Sequence, residues 1–205
     1  MAVVSNGTTL IDAGALGASA GAGKLTLIKT LTASSSSTLS FVNGASSVVF
    51  NSTYDSYIFK FINMHPATNT AYFNFQGSTN TGSSYGVTIS SGAFYNRQIE
   101  SGGNNEISYN SSAHLNQSTS FQRLSQGVGN GGDESCSGTL EIFDPSSTTF
   151  VKHFKARVPT YQSGDYIYDQ FTSGYFNSTS AVDAIQFKFS SGNIDAGTIK
   201  LYGVG

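Results

Sequence analysis

An all-β protein is the fold class this sequence predicts: an antiparallel β-sandwich or jelly-roll of about ten to twelve short strands. Three observations predict it. Apolar and polar side chains alternate in run after run, as where Ile185, Phe187 and Phe189 are interleaved with Gln186 and Lys188. A period of two sends one set of side chains to a buried face and the other to water. The chain is rich in the aromatic residues strands favour, with 15 Phe and 11 Tyr, and its 23 Gly break it into short pieces. Charged residues are only 11%, against about 25% in ordinary globular domains, so polarity rests on Ser, Thr and Asn.

Met1 to Gly23 is rich in Ala, Gly and Ser, with few large apolar residues. It reads as an N-terminal arm, flexible or ordered against a partner, ahead of a single sandwich domain over 24–205. Strand signals begin at Lys24, with Leu25 and Leu27 on one face and Ile28 on the other, and Ser34 to Ser37 as a polar break. Thr38 to Val42 turns Leu39 and Phe41 inward, Asn43-Gly44 is a turn, and Ser47 to Phe50 is a further strand. Tyr57 to Met64 is apolar on nearly both faces, so it belongs in the middle of a sheet, and His65-Pro66 stops it. Ala71 to Gln76 pairs back on it with Phe73 and Phe75 inward.

Weaker strands follow at Tyr85–Ile89, Ala93–Ile99, Glu106–Asn110 and Thr119–Ser125, and Gly127 to Gly132 is read as the most flexible loop. Gly138 to Asp144 turns Leu140 and Ile142 inward and ends at the turn Asp144-Pro145-Ser146-Ser147. Phe150 to Val158 places Phe150, Phe154, Ala156 and Val158 inward and His153, Lys155 and Arg157 outward, while Lys152 interrupts the inward set and points to a sheet edge. Tyr161 to Phe176 is aromatic, with Tyr166 and Tyr168 sharing a face. The chain ends in two strands, Ile185–Phe189 and Ile199–Tyr202, read as a hairpin around Ser190-Ser191-Gly192-Asn193 that seals the sandwich. No stretch has a helical period and no fixed-period repeat is present, which excludes propellers and solenoids.

Composition excludes several function classes. Net charge is −2 with scattered Lys and Arg, so no basic face for nucleic acid is expected. No run is long and apolar enough to cross a membrane. Cys136 is the only cysteine, which rules out an internal disulfide. The N-terminus lacks the signal-peptide pattern, so synthesis in a cytoplasm is expected.

Candidate chemistry is sparse. Gly17 to Lys24 evokes a phosphate-binding loop, but Ala18 and Leu25 stand where that motif needs Gly and Ser or Thr, and a strand follows. His65, His114 and His153 have no metal-ligand spacing. There is no Gly-x-Ser-x-Gly elbow, and nothing places two of the twelve acids across a cleft. Gly131-Gly132-Asp133-Glu134 does not follow the calcium-loop order. Five Asn-x-Ser/Thr triplets, at Asn6, Asn51, Asn110, Asn116 and Asn177, follow from the abundance of these residues. No catalytic residue, cofactor or metal is expected. The one candidate binding group is Tyr161, Tyr166 and Tyr168, with Tyr175 beside them. Such aromatics stack on sugars, or simply cover a half-buried sheet.

Several segments taken together resemble a known family: Thr9-Leu-Ile-Asp12, Tyr54-Asp-Ser-Tyr57, Ser118-Thr-Ser-Phe-Gln122, Asp144-Pro-Ser-Ser-Thr-Thr-Phe-Val-Lys-His-Phe154 and Gly192-Asn-Ile-Asp-Ala-Gly-Thr-Ile-Lys-Leu-Tyr-Gly203. The chain resembles virion structural proteins of marine tailed bacteriophages, over nearly its whole length. The resemblance implies a non-enzymatic particle component, made in the host cytoplasm and released by lysis. Two roles stay open: a capsid decoration or cement protein, expected as a homotrimer on the major capsid protein or another virion protein, and a tail-fibre or head-fibre domain that binds a host surface glycan.

Overall fold

The computed structural model describes residues 3–5, 8–12, 15–16, 25–103 and 105–205. Among the described residues every element is a strand, and all pairings are antiparallel. Among the described residues no helix is long and apolar enough to cross a membrane. Three short strands, β1 (Val3–Ser5), β2 (Thr8–Asp12) and β3 (Ala15–Leu16), pair into a small sheet of their own. The rest of the expected arm, and the glycine-rich run Gly17 to Lys24, lie outside the described residues.

Among the described residues thirteen strands build two packed sheets, one more than the upper end of the sequence expectation. The larger contains nine: β4 (Leu25–Ser36), β6 (Ser56–Pro66), β8 (Ile89–Ile99), β9 (Glu106–Tyr109), β10 (Leu115–Ser118), β12 (Cys136–Phe143), β13 (Lys152–Gln162), β14 (Tyr166–Phe176) and β16 (Ile194–Val204). Their order is β10-β8-β14-β13-β12-β6-β16-β4, with β9 pairing β8. The smaller sheet has the order β11-β7-β15-β5, formed by β5 (Leu39–Val42), β7 (Phe73–Ser78), β11 (Gln122–Arg123) and β15 (Ala184–Phe189). The molecule is an antiparallel β-sandwich.

Alternation decides which side chains fill it. In β13, Phe154, Ala156 and Val158 are buried while His153, Lys155 and Arg157 point out. In β6, Tyr57, Phe59 and Phe61 face the smaller sheet, and the strand lies between β12 and β16, the central position expected of it. Phe187 is at the centre, with ring centroids of Phe59 at 5.1 Å and Phe61 at 5.2 Å from the opposite sheet. Phe75 meets Phe154 across the same gap at 5.1 Å. Edge-to-face pairs of this kind add to the burial of large apolar area.

Several expectations about strands are corrected. The last two strands do not form a hairpin: β15 pairs β5 and β7, whereas β16 pairs β4 and β6, so Ser190–Asn193 arches from one sheet to the other. Gly192 takes its positive φ of 67° there, and the Asn193 side-chain amide donates to the Ser35 carbonyl at 2.9 Å. β7 likewise joins the smaller sheet and does not pair with β6. Ser47 to Phe50 is not a strand, although Val48 and Phe50 are buried from a loop. Phe150 is 72% exposed, because β13 begins only at Lys152.

Lys152 is another. It starts an interior strand, between β12 and β14, and is fully buried. The chain closing over that end supplies two acceptors, and its Nζ donates to the carbonyls of Phe150 and Ser178, each at 3.0 Å. Burial pushes its pKa below lysine's ordinary 10.5, with Asp144 opposing. The folded state therefore holds this proton less tightly than the unfolded chain. Stability contributed by this residue rises as pH climbs from the depressed folded pKa toward 10.5. Urea unfolding of the wild type and Lys152→Met between pH 7 and 10 should show the wild type gaining relative to the variant as pH rises; parallel curves would refute the buried ammonium.

The Gly127–Gly132 loop is also more anchored than its composition suggests. Val128 is fully buried and exchanges backbone hydrogen bonds with Ala71, 2.8 Å and 3.2 Å, and the Gly131 N–H is held by the Glu134 carboxylate.

Candidate functional site

The sequence groups Tyr161, Tyr166 and Tyr168; the hairpin register separates them. Tyr161 lies opposite Ile167, Gln162 opposite Tyr166, and Thr160 opposite Tyr168. Directly paired residues share a face, and neighbours along a strand do not. Tyr161 therefore points outward and hydrogen-bonds the Asp165 carboxylate at 3.1 Å, which, with burial, raises its pKa to about 12. Tyr175 is also outward, edge-on to His153 at 6.0 Å. Tyr166 and Tyr168 point inward, where Tyr168 is buried against Tyr95 at 5.4 Å and Arg97 stands 5.9 Å from the Tyr166 ring. The three tyrosines do not form one platform.

That inner end of the sandwich is polar. Gln170, fully buried, accepts from Asn110 Nδ2 at 2.9 Å and Gln126 Nε2 at 3.1 Å, and donates to the Arg123 carbonyl at 3.2 Å. Gln122 donates to the Ala113 carbonyl at 2.7 Å and accepts from Ser91 Oγ at 2.5 Å. Arg123 lies 3.4 Å from the centroid of the Tyr72 ring and donates to Gln126 Oε1 at 2.6 Å. This network fastens the 110–126 segment over β8 and β14. Every amide in it finds partners, the condition under which buried polar groups are tolerated.

A groove of about 630 Å³ lies on the opposite, outer face of the nine-stranded sheet. It runs across β8, β14, β13, β12 and β6. One wall is a row of directly paired residues: Tyr109, Phe94, Phe171 and Arg157. Phe94 and Phe171 stack nearly parallel at 4.8 Å, and Arg157 covers the Phe171 ring at 5.0 Å. Arg157 is fixed in turn by Asp169, with Nε at 2.9 Å and Nη2 at 2.7 Å from Oδ2. That carboxylate holds the guanidinium pKa up. The next row, Gly92, Ser173, Lys155 and Glu141, is the floor. Lys155 pairs with Glu141 at 3.0 Å, and Glu141 also accepts from Ser56 Oγ at 2.8 Å. A shallower depression continues from Gly92 and Ser173 to His153 and Tyr175. Sequence reasoning did not find this groove, since six strands spread from β6 to β14 supply it. Its one local signal was an aromatic residue at outward positions of three strands: Phe94, Tyr109 and Phe171.

The histidines stand on separate elements. His65 Nδ1 contacts the Glu134 carbonyl at 2.7 Å, His114 stacks on Tyr109 at 5.8 Å, and His153 faces outward. Among the described residues no three His, Cys, Asp or Glu come together as a metal site. Cys136 is buried and burial pushes its thiol pKa up, which makes it a poor nucleophile. No family model matches the chain, and no curated protein or solved structure matches it.

Proposed function

We propose that this protein is a non-enzymatic virion component that attaches to the exterior of a tailed-phage capsid, as a decoration or cement protein, through its N-terminal segment and the adjoining β4 edge. The observation that carries the reading is β4 itself. It is a 12-residue strand at the end of the nine-stranded sheet, with no partner on its far side among the described residues. Leu25 and Leu27, at the end nearest the N-terminal segment, are 56% and 52% exposed. A long, open edge with exposed apolar side chains at one end invites a further strand or an apolar partner surface. Glu141 in the groove and Asp169, which holds the groove's Arg157, are each paired with a cation, which suits positioning better than proton transfer. The sequence resemblance supplies the particle, and a homotrimer on the major capsid protein remains the proposed arrangement.

The buried apolar core runs from Ala33 to Leu201, so changes at Leu25 and Leu27 should spare folding. Leu25→Ser with Leu27→Ser should leave unfolding free energy within about 0.5 kcal/mol of wild type while reducing addition of the purified protein to particles that lack it. Deleting Met1 to Gly23 should do the same. Undiminished decoration by both variants would overturn the proposed attachment surface.

A further inference from the structure

We propose that the transverse groove on the outer face of the nine-stranded sheet is a binding site for a neutral oligosaccharide. Gly92 is the key observation. It sits inside β8, paired with Ser173, and nothing lies within 4 Å of the place where its Cβ would be. Neither a crowded backbone nor a positive φ demands glycine there. A glycine inside a strand weakens it, and marks a place where something else comes close. Here that place is the floor of the groove, beneath Phe94 and Phe171.

The surrounding chemistry selects the ligand class. Phe94, Tyr109 and Phe171 offer apolar ring surface to the carbon faces and edges of sugars, and Phe94 and Tyr109 are 48% and 62% exposed. Between and beside them stand two fixed charge pairs, Lys155 with Glu141 and Arg157 with Asp169. Each pair is neutral overall, yet it presents oriented donors and acceptors suited to hydroxyl groups. A phosphodiester chain would need uncompensated positive charge, which these pairs do not provide. The floor from β8 to β6 crosses four strand spacings, roughly 19 Å, long enough for a short glycan chain laid across the strands. The site is distinct from the β4 edge, so a protein attached by that edge would keep the groove free for a host surface glycan.

The test is titration of the full-length protein with hexasaccharides of glucose, galactose, mannose and N-acetylglucosamine, followed by calorimetry. The wild type should bind at least one of them saturably. Gly92→Leu should fill the floor, unfold at or above the wild-type thermal midpoint and weaken binding at least about tenfold. Gly92→Ala, which leaves most of the space, should bind nearly as well as wild type. No saturable binding to any of the four series overturns the proposal, as does binding unchanged in Gly92→Leu. Sedimentation of the same variants addresses the competing occupant: if Gly92→Leu dissociates an oligomer, the groove holds a second copy of the chain and the glycan assignment is wrong. Failure here would leave the β4 attachment reading standing.

Discussion

Phe187→Ala is expected to destabilise the domain by about 5 kcal/mol, the upper end for removing a buried phenylalanine side chain. Five rings surround Phe187: Phe59 and Phe61 from the opposite sheet, Phe73 and Phe75 from the neighbouring strand, and Phe41 from the other neighbour, all with centroids within 6.4 Å. None of these has room to swing inward, because each is already buried against others, so the void left by the ring would persist. Domains of this size are stable by only about 5–15 kcal/mol, so the variant should be near the limit of folding at 37 °C. Phe187→Leu, which keeps most of the volume, should cost about 1.5 kcal/mol. Urea unfolding midpoints compare the two. A loss below about 1.5 kcal/mol for the alanine variant would mean the sheets do not pack through this residue.

The second large effect is expected at Gly138. Its φ is +152°, and a Cβ there would meet the Arg157 carbonyl oxygen at 2.3 Å and the Val158 Cα at 2.9 Å. Both are backbone atoms of the adjacent strand, which cannot move without breaking the β12–β13 ladder. The glycine belongs to an irregular line across the sheet. The register of β12 on β6 shifts between Cys136 and Gly138, Asn63 takes a φ of 50°, and β16 shifts on β6 around Gly197, whose φ is +126°. Bulges aligned in this way bend neighbouring strands together. Gly138→Val should cost about 2–5 kcal/mol from backbone strain and crowding combined. Gly92→Ala, in open space, should instead gain about 0.5–1 kcal/mol. Equal effects at the two glycines would show that the bulge is not where the structure places it.

The contrast between those glycines illustrates what the sequence could reveal. Periodicity made the inward faces legible: Phe154, Ala156 and Val158, or Phe59 and Phe61, need nothing beyond alternation. It could not say which sheet a strand joins. Ile185, Phe187 and Phe189 face Ile199 and Leu201 whether the strands are hairpin neighbours or belong to facing sheets, so the arch at Ser190–Asn193 read as a hairpin turn. The tyrosines failed for a related reason. The alternation correctly put Tyr166 and Tyr168 together, but the face of Tyr161 depended on the register across the Ser163–Asp165 turn, which no local pattern fixes. Lys152 looked like an edge residue because lysine rarely enters a core unaccompanied; the two carbonyls that accept from it lie at Phe150 and Ser178, and the second is invisible from the local sequence. The groove is the extreme case, since Gly92, Arg157 and Phe171 meet only after β8, β14 and β13 have paired.

The proposed attachment to a phage capsid is tested most directly by counting copies of this protein in purified phage particles, by quantitative mass spectrometry against the major capsid protein. A fixed ratio corresponding to hundreds of copies, matching the symmetry-related sites of a capsid shell, is the expected result. A count of about a dozen or fewer, as symmetry allows at a single tail or fibre position, or absence from the particle, would contradict it.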